Sequence, residues 1–228
     1  MSLRSPDVRI HETEVGLQGD DLALKYDEMQ RHIRDRGWLQ EKVDNVVDDA
    51  GITSGHALEI GCGPGYLGLE WLAQVGAGAT LVGVDIAASM VERARTNAEA
   101  YGLAARATYE IGNVLALPEA DASFDHVFST SSFHEWLEPV TGLREIIRVL
   151  RPGGRFCVTD LRRDLDRTTL QFMKANIAAD MRPGFRTSVK SAYTTDEARG
   201  LLLDAGLPDA RVVEVPMGLV ITGTKEGR

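Results

Sequence analysis

Cysteine, surplus basic charge and long apolar runs are all scarce in this chain of 228 residues. Its two cysteines, Cys62 and Cys157, provide neither a disulfide framework nor a cluster of metal ligands. We therefore expect no metal site and a reducing compartment, the cytoplasm. The net charge of −9 gives no general attraction to nucleic acid or to an anionic membrane, and we expect neither as a partner. No apolar run could span a bilayer and no signal-peptide pattern is present, which agrees with that expectation.

Short apolar segments alternate with amphipathic ones through most of the sequence. The segments predicted as strands are 56–60, 79–84, 107–111, 125–129, 154–159, 211–215 and 218–224. Strands that alternate with helices favour a parallel sheet, and near-continuous apolar strands indicate that helices cover both faces. The sequence therefore predicts an α/β fold of the Rossmann-like, doubly wound type.

Helical periodicity marks the segments around these strands. The residues that share one face of a predicted N-terminal helix are Leu22, Tyr26, Met29 and Ile33. A second helix begins near Leu39 and ends before Gly51, and another is predicted at 139–150. Thr194 and Glu197 have capping-box spacing, so a further helix is predicted from 195 to Gly206.

The chain is predicted to form one domain, 1–228, because its length suits a single core and no linker or repeat interrupts it. Its predicted parts are a loose N-terminus (1–20), N-terminal helices (21–50), a core (55–160), an insertion (161–193) and a final helix with two strands (194–228).

The most informative segment runs from Leu58 to Tyr66 and contains Gly61, Gly63 and Gly65. It reads as a buried strand, a glycine turn and the start of a helix. Glycines let the backbone turn sharply and approach a ligand closely, because no Cβ intervenes. This arrangement predicts that an adenosine-bearing cofactor lies across the strand ends of a parallel sheet.

Two acidic residues decide which cofactor suits this turn. A carboxylate at Glu59 is unfavourable for a pyrophosphate but favourable for the ammonium and sulfonium of S-adenosylmethionine. Tyr66 stands where a dinucleotide fingerprint needs its third glycine. Asp85, at the end of the next strand, can accept both ribose hydroxyls. The alternative is that the glycines form a structural turn and that Asp85 caps the following helix.

Residues from about 55 to 160 resemble the class I S-adenosylmethionine-dependent methyltransferases, particularly the small-molecule group that includes the quinone C-methyltransferases. Beside the glycine turn, the resemblance rests on three segments in the same order, 110–118, 123–129 and 143–160. It implies a seven-stranded sheet, mostly parallel, whose last strand is antiparallel beside the fifth. It also implies S-adenosylmethionine as the cofactor, and it leaves the methyl acceptor open.

The same resemblance assigns further residues to the cofactor. Asn113 lies where many relatives carry an aspartate that accepts from the adenine amino group; the alternative is a turn-former after a strand. Val114 would offer its backbone amide to the ring, and Ile86 would pack on the adenine face or lie in the core. Thr130 is expected to contact the methionine portion. Cys62 is interpreted as a small filler whose backbone faces the cofactor.

His134 follows the fourth strand, where the family places the reacting methyl group. It matches a histidine common in this group and is the candidate general base, although the same residue could position the scaffold or the cofactor. Glu135 replaces a second histidine of the group and is either a ligand for a cationic acceptor or a solvated residue. Trp136 is expected to be pocket wall or core.

Elements outside the core should close the acceptor pocket. The N-terminal helix with Tyr26, which we assign to the cofactor site, is the first candidate, and the insertion 161–193 is the second. The large apolar residues of that insertion indicate an acceptor with hydrophobic surface, or else a cap with its own core. Arg162, Arg163 and Arg167 could meet an acidic acceptor, but they are interpreted as a solvated face, as an arginine run usually is.

These observations predict transfer of a methyl group from S-adenosylmethionine to a small-molecule acceptor by in-line displacement. Three alternatives stay open: transfer of a different group from the same cofactor, a non-catalytic cofactor-binding or partner-regulating protein, and a nicotinamide oxidoreductase. The sequence determines neither the methylated atom nor the oligomeric state.

Overall fold

The computed structural model describes residues 9–11 and 20–227, so the predicted loose N-terminus lies mostly outside the described residues. Its strands form one seven-stranded sheet. They are β1 His56–Ile60, β2 Thr80–Asp85, β3 Ala107–Ile111, β4 Phe124–Thr130, β5 Leu150–Asp160, β6 Arg211–Val215 and β7 Gly218–Thr224. All seven coincide with predicted strands to within a few residues.

The strand order is β3-β2-β1-β4-β5-β7-β6. Strands β1 to β3 are therefore added toward one edge of the sheet and the later strands toward the other, and the order reverses between β1 and β4. The first five strands pair in parallel, while β7 is antiparallel to both β5 and β6. The prediction of a doubly wound, mostly parallel sheet with an antiparallel last strand is confirmed. In such sheets ligands bind outside the carboxyl ends of the strands at the point where the order reverses.

Helices lie before and between the strands. They are α1 Asp20–Asp35, α2 Gln40–Asp44, α3 Tyr66–Gln74, α4 Ala88–Ala100, α5 Pro139–Val149, α6 Arg167–Ala175, α7 Arg182–Ser191 and α8 Thr195–Ala205. The predicted capping box is present at the start of α8, where Thr194 and Glu197 each accept from the other's backbone N–H. Among the described residues, no helix has the length and apolar character that crossing a bilayer requires.

Two elements differ in detail from the prediction. The second helix is an α-helix as far as Asp44 and then widens into a π-helical turn over Asn45–Asp49. Strand β5 begins at Leu150, earlier than the predicted position 154. The glycine pair before the main part of β5 is absorbed by a register shift against β4, because Gly153 has a φ of 80° that a regular strand does not allow.

The core consists of two layers on opposite faces of the sheet. Leu58 and Val127 pack with α5 and α8 on one face, while Ala57 and Phe128 pack with α2 and α3 on the other. Neighbouring residues of one strand thus enter different layers, which is why β1 and β4 read as apolar runs. Each fully buried large side chain contributes about 1.5–3 kcal/mol to the stability of this scaffold.

The insertion between β5 and α8 forms α6 and α7. No residue of α6 is buried, and Ser191 is the buried residue of α7. The apolar side chains of these helices therefore do not form a core of their own. They face the cavity described next, and the alternative of a self-contained cap is not supported.

Candidate active site

A cavity of about 320 Å³ lies at the carboxyl ends of β1, β2, β4 and β5. Helix α1 and the two insertion helices contribute residues to its wall. The predicted site residues that line it are Tyr26, Glu59, Gly61, Cys62, Gly63, Asp85, Ile86, Thr130 and His134. The tertiary structure therefore brings nine residues from four separate sequence segments to one cavity.

The glycine turn connects β1 to α3. Gly61 and Gly65 have φ values of 64° and 82°, in the left-handed region where side chains are disfavoured. A Cβ at Gly61 would lie 2.3 Å from Ser132 Oγ, which belongs to the segment after β4. Cys62 N donates to Val84 O at 3.0 Å and thereby attaches the turn to β2. The glycines allow three strand ends to meet closely around the cavity.

Glu59 is buried at the end of β1, with 1% of its surface exposed. Burial raises the pKa of its carboxyl to about 8, although the backbone N–H of Gly68 acts in the opposite direction. Among the described residues, Glu59 Oε2 has no hydrogen-bond partner. A buried carboxylate oxygen without a partner is costly, so this position suits a cationic group of a ligand in the cavity.

Asp85 connects the glycine turn to the following helix. Its Oδ2 accepts from Gly63 N at 2.8 Å and its Oδ1 accepts from Ala87 N at 2.9 Å. Burial raises the pKa of Asp85, while these N–H groups lower it. Asp85 thus joins the glycine turn to Ala87, but the helix-capping alternative is not borne out, because the start of α4 has no side-chain cap hydrogen bond. The two carboxylate oxygens offer about four acceptor positions, and the backbone N–H groups of Gly63, Ile86 and Ala87 do not use all of them, so the ribose contact remains compatible and stays a prediction.

Tyr26 extends from α1 over the glycine turn, where a Cβ on Gly63 would lie 3.6 Å from its ring. Burial, and next the Glu135 carboxylate, raise the pKa of its phenol, so the hydroxyl stays protonated and can donate. Ile86 is 44% exposed directly after Asp85 and lines the cavity. An exposed apolar side chain beside the predicted ribose site is available to pack against an adenine ring.

Three predicted site residues do not line the cavity. Gly65 lies behind the turn, where a Cβ would approach Tyr109 Oη at 2.9 Å. Asn113 Oδ1 accepts from Leu115 N at 2.9 Å, which is the turn-forming role proposed as its alternative. Val114 is buried in the core layer that also contains α5. Their contacts with a cofactor therefore remain predictions.

Cys62 also lines the cavity, but its thiol is not activated. Burial raises the pKa of the thiol well above its usual range, and the nearby carboxyl groups of Asp85 and Glu59 act in the same direction. Its Sγ donates weakly to Gly63 O at 3.7 Å. This agrees with the interpretation of Cys62 as a small filler of the turn.

His134 is buried in a short 3₁₀ turn after β4 and is held by Asp160 at the end of β5. His134 Nδ1 lies 2.8 Å from Asp160 Oδ1, and His134 N donates to Asp160 Oδ2 at 2.6 Å. The carboxylate accepts a proton-bearing Nδ1, so this contact favours the tautomer whose Nε2 accepts a proton. Glu135 lies nearby, with its Oε1 3.8 Å from Nε2.

Arg9 connects the N-terminal segment to this histidine. Its guanidinium donates to His134 O at 2.6 Å and to Ser191 O, at the end of α7. The same guanidinium lies 4.1 Å from the centre of the Tyr193 ring. One arginine thereby joins the candidate base to the helix that covers the cavity.

Lys42 is a cation within the cavity. Its Nζ donates to Ser131 Oγ at 2.9 Å and to Thr130 Oγ1 at 3.1 Å, both at the end of β4. Thr159 Oγ1 donates to Thr130 Oγ1 at 2.8 Å and extends this network to β5. The predicted methionine contact, Thr130, is therefore part of a hydrogen-bonded group that includes a lysine.

The interpretation of the arginine run as a solvated face is wrong for two of its members. Arg163 is 7% exposed and forms an ion pair with Glu197 in the capping box of α8. Arg162 forms an ion pair with Glu214 of β6. Both side chains fasten the insertion to the final helix and strands, so they do not meet an acidic acceptor.

Sequence reasoning missed three residues of the site: Arg9, Lys42 and Asp160. Asp160 had a usable signal, because it ends a predicted strand next to the strand that His134 follows, and carboxyl ends of neighbouring parallel strands meet. Lys42 and Arg9 lie in segments outside the sheet, and their sequence context gives no signal of where they fold.

Comparisons with known proteins identify the class. A family model described as a methyltransferase domain matches residues 53–206, and the chain belongs to this family. The predicted resemblance to class I methyltransferases, including the quinone C-methyltransferases, is confirmed. Methyltransferase GfsG of Streptomyces halstedii is 30% identical over 179 residues, covering 77% of this chain and 61% of that protein.

Two further similarities agree. The ubiquinone/menaquinone biosynthesis C-methyltransferase UbiE of Geotalea uraniireducens (strain Rf4) is 31% identical over 62% of this chain and 60% of that protein. A Methanococcus maripaludis structure described as an S-adenosyl-L-methionine-dependent methyltransferase has a TM-score of 0.76 at 21% identity, covering 97% of this chain and 98% of that one. The chain spans about three fifths of the length of the two curated relatives.

Proposed function

We propose that the protein transfers a methyl group from S-adenosylmethionine to a small-molecule acceptor. The observation that carries the proposal is the buried Glu59 carboxyl group, whose Oε2 lacks a partner among the described residues and borders the cavity beside the glycine turn. A carboxyl group at this position fits S-adenosylmethionine, which carries positive charge on its ammonium and sulfonium groups. A pyrophosphate would meet repulsion at the same position.

S-adenosylmethionine, when bound, supplies an electrophilic methyl group. The chain's own residues then have three tasks: to orient the acceptor, to exclude water and to take up a proton where the acceptor requires it. We assign the last task to His134. Asp160 holds its Nδ1–H and stabilises the imidazolium that forms when Nε2 accepts a proton from a phenol or a carbon acid.

The walls of the acceptor side favour a ligand with apolar surface. The apolar side chains that the insertion contributes are Leu161, Phe172, Met173, Ile177, Met181 and Phe185. Methionine and phenylalanine adapt to flat or irregular apolar ligands. UbiE is named for methylation in quinone biosynthesis, and an aromatic ring with an acidic carbon or hydroxyl group suits this cavity. We propose such a small molecule, rather than nucleic acid or a membrane, as the partner, and the cytoplasm as the location.

Calorimetric titration of the purified chain with S-adenosylmethionine, S-adenosylhomocysteine and NAD tests the proposal. We expect the first two to bind and NAD not to bind. Methyl-labelled cofactor, incubated with a panel of phenols, quinols and carboxylic acids, then identifies the acceptor, and the mass of the product distinguishes methyl transfer from transfer of another group.

Two results would contradict the proposal. Binding of NAD alone would indicate an oxidoreductase. Tight binding of S-adenosylmethionine without turnover on any acceptor, in a protein whose folding is intact, would indicate a cofactor-binding or partner-regulating role.

A further inference from the structure

Lys42 is the one lysine or arginine among the described residues that line the cavity. Its two hydrogen bonds go to neutral hydroxyl groups, those of Thr130 and Ser131. A lysine ammonium has three N–H donors, so one donor remains for a ligand. Lys42 is half-buried, and a partly desolvated cation that is bonded to hydroxyl groups alone lacks the anionic partner that such groups normally have.

The surroundings of Lys42 do not provide that partner by direct contact. Burial lowers the pKa of Lys42, whereas the charges of Asp160 and Glu41 raise it. Asp160 is engaged by His134 and by Leu161 N, which donates at 2.7 Å. No ion pair joins Lys42 to a carboxylate of the described residues at 4.0 Å or less.

The hydroxyl groups hold the ammonium in a defined place. Ser131 has a φ of 53°, a left-handed conformation that is unfavourable for a serine, and Ser131 N donates to Thr159 O at 2.8 Å. Thr130 is held by Thr159. The unusual backbone conformation at the end of β4 therefore holds the hydroxyl groups of Thr130 and Ser131 in fixed positions, where both accept from Lys42. Such preorganisation favours binding, because little order is lost when the ligand arrives.

The same cavity contains the opposite feature at Glu59, a buried carboxyl oxygen without a partner among the described residues. An incompletely paired cation and an incompletely paired acid in one cavity match a zwitterion, and the α-amino acid group is the common one. We infer that Lys42 binds the carboxylate of the cofactor's amino-acid end while Glu59 meets its ammonium. This inference rests on the proposed function.

Two ligands that differ by one carboxylate test the inference. S-adenosylhomocysteine has both the ammonium and the carboxylate, and its decarboxylated counterpart, the 3-aminopropylthio derivative of deoxyadenosine, retains the ammonium alone. Both are titrated calorimetrically into wild type, Lys42→Met and Lys42→Arg. Lys174→Met is the matched control, because Lys174 is exposed on α6.

Lys42→Met is expected to weaken binding of S-adenosylhomocysteine roughly 10- to 100-fold and to leave the decarboxylated ligand almost unaffected. Lys42→Arg should restore most of the difference, and Lys174→Met should behave like wild type. Equal affinities of wild type and Lys42→Met for S-adenosylhomocysteine would overturn the inference. So would an equal loss for both ligands, since the carboxylate would then not be what Lys42 binds.

Failure of the proposed function is distinguishable from failure of this inference. It would be shown by a wild type that binds neither S-adenosylhomocysteine nor S-adenosylmethionine. If wild type binds both ligands but Lys42→Met shows no selective loss of affinity for S-adenosylhomocysteine, the cofactor assignment is retained and the proposed role of Lys42 is rejected. Circular dichroism of each variant shows that the fold is retained.

Discussion

Asp160 holds His134 through both the side chain and the backbone of the histidine. One carboxylate oxygen lies 2.8 Å from Nδ1, and the other accepts from the backbone N–H at 2.6 Å. The two residues come from neighbouring strand ends and lie 26 positions apart in the sequence. The ring is therefore fixed in rotation and in tautomer, as a general base requires.

The first prediction concerns this pair. Once an acceptor is identified, His134→Ala should reduce kcat by about 10²- to 10⁴-fold if the acceptor must lose a proton. Asp160→Asn should reduce kcat in the same direction, because the amide does not stabilise the imidazolium. Affinity for S-adenosylhomocysteine should change little in His134→Ala, which separates a catalytic role from one in cofactor positioning.

His32→Ala is the control for this experiment, since His32 is exposed in the last turn of α1. Full activity of His134→Ala on an acceptor that must be deprotonated would show that His134 is not the base.

The second prediction is a pH dependence of cofactor binding that originates at Glu59. Its carboxyl group has a pKa raised to about 8 by burial, so it is protonated in the ligand-free protein at neutral pH. The ammonium group of the ligand favours the ionised form of Glu59, so binding releases a proton. The affinity for S-adenosylhomocysteine should rise as pH increases from about 6 to about 8, by up to roughly tenfold per unit. Calorimetry in two buffers of different ionisation enthalpy measures the released proton.

Glu59→Gln should abolish this slope and weaken binding. The stability of the ligand-free protein should move the opposite way. Because the pKa of Glu59 in the folded protein lies above its ordinary value of 4.5, the stabilisation from protonated Glu59 is present at acid pH and is lost as pH rises toward 8. Glu59→Gln should therefore gain stability relative to wild type between pH 5 and pH 8 in urea unfolding. A flat binding profile in wild type would contradict the assignment.

The third prediction separates the two roles of Asp85. Asp85→Asn keeps an acceptor for one backbone N–H but loses the charge, so we expect the free energy of unfolding to fall by about 1 kcal/mol. Affinity for S-adenosylhomocysteine should fall by roughly 1–3 kcal/mol if the carboxylate also accepts from the ribose hydroxyls. Urea unfolding and calorimetry measure the two effects separately.

Asp209→Asn, at an exposed position between α8 and β6, is the matched control. Loss of stability in Asp85→Asn with unchanged affinity would limit Asp85 to holding the glycine turn and remove it from the cofactor site.

The fourth prediction compares two glycines in helices. A Cβ at Gly68 of α3 would lie 2.4 Å from Glu59 Oε2 and 2.3 Å from Leu81 Cδ2, whereas a Cβ at Gly200 of α8 would meet nothing within 4 Å. Gly68→Ala should lower the free energy of unfolding by roughly 1–3 kcal/mol and weaken cofactor binding by displacing Glu59. Gly200→Ala should raise stability by about 0.5–1 kcal/mol.

Thermal unfolding and calorimetry of the two variants provide the comparison. Equal and small effects at both positions would mean that the space behind Glu59 accommodates a methyl group, and that the position of Glu59 is not set by close packing.

The fifth prediction concerns Arg9. It donates to the carbonyls of His134 and Ser191 and lies against the Tyr193 ring. Arg9→Ala should loosen both the histidine turn and α7, so amide hydrogen exchange should accelerate over Arg182–Ser191, with a lower kcat. Arg186→Ala, at an exposed position of α7, should leave exchange and kcat unchanged. Unaltered exchange in Arg9→Ala would show that α7 is held by its own contacts.

The sequence by itself determined the sheet and the cofactor turn. Apolar strands separated by amphipathic helices have one low-energy arrangement, with carboxyl ends along one edge. The acids at Glu59 and Asp85 end strands that are adjacent in the chain, so their approach follows from the local connection. This is why strand positions and most cofactor-side residues were predictable, and why Asp160 had a signal that was available and not used.

Only the tertiary structure decided what surrounds that edge. The segments with Lys42 and Arg9 and the insertion helices lie outside the sheet and reach the cavity by packing against its edge. Sequence periodicity predicts which face of a helix is apolar, but it does not predict which surface that face covers. The ion pairs of Arg162 and Arg163 are formed with residues of β6 and α8, which lie far along the chain. Charge pairing and cavity shape arise from contacts between distant segments, and these contacts exist only once the chain has folded.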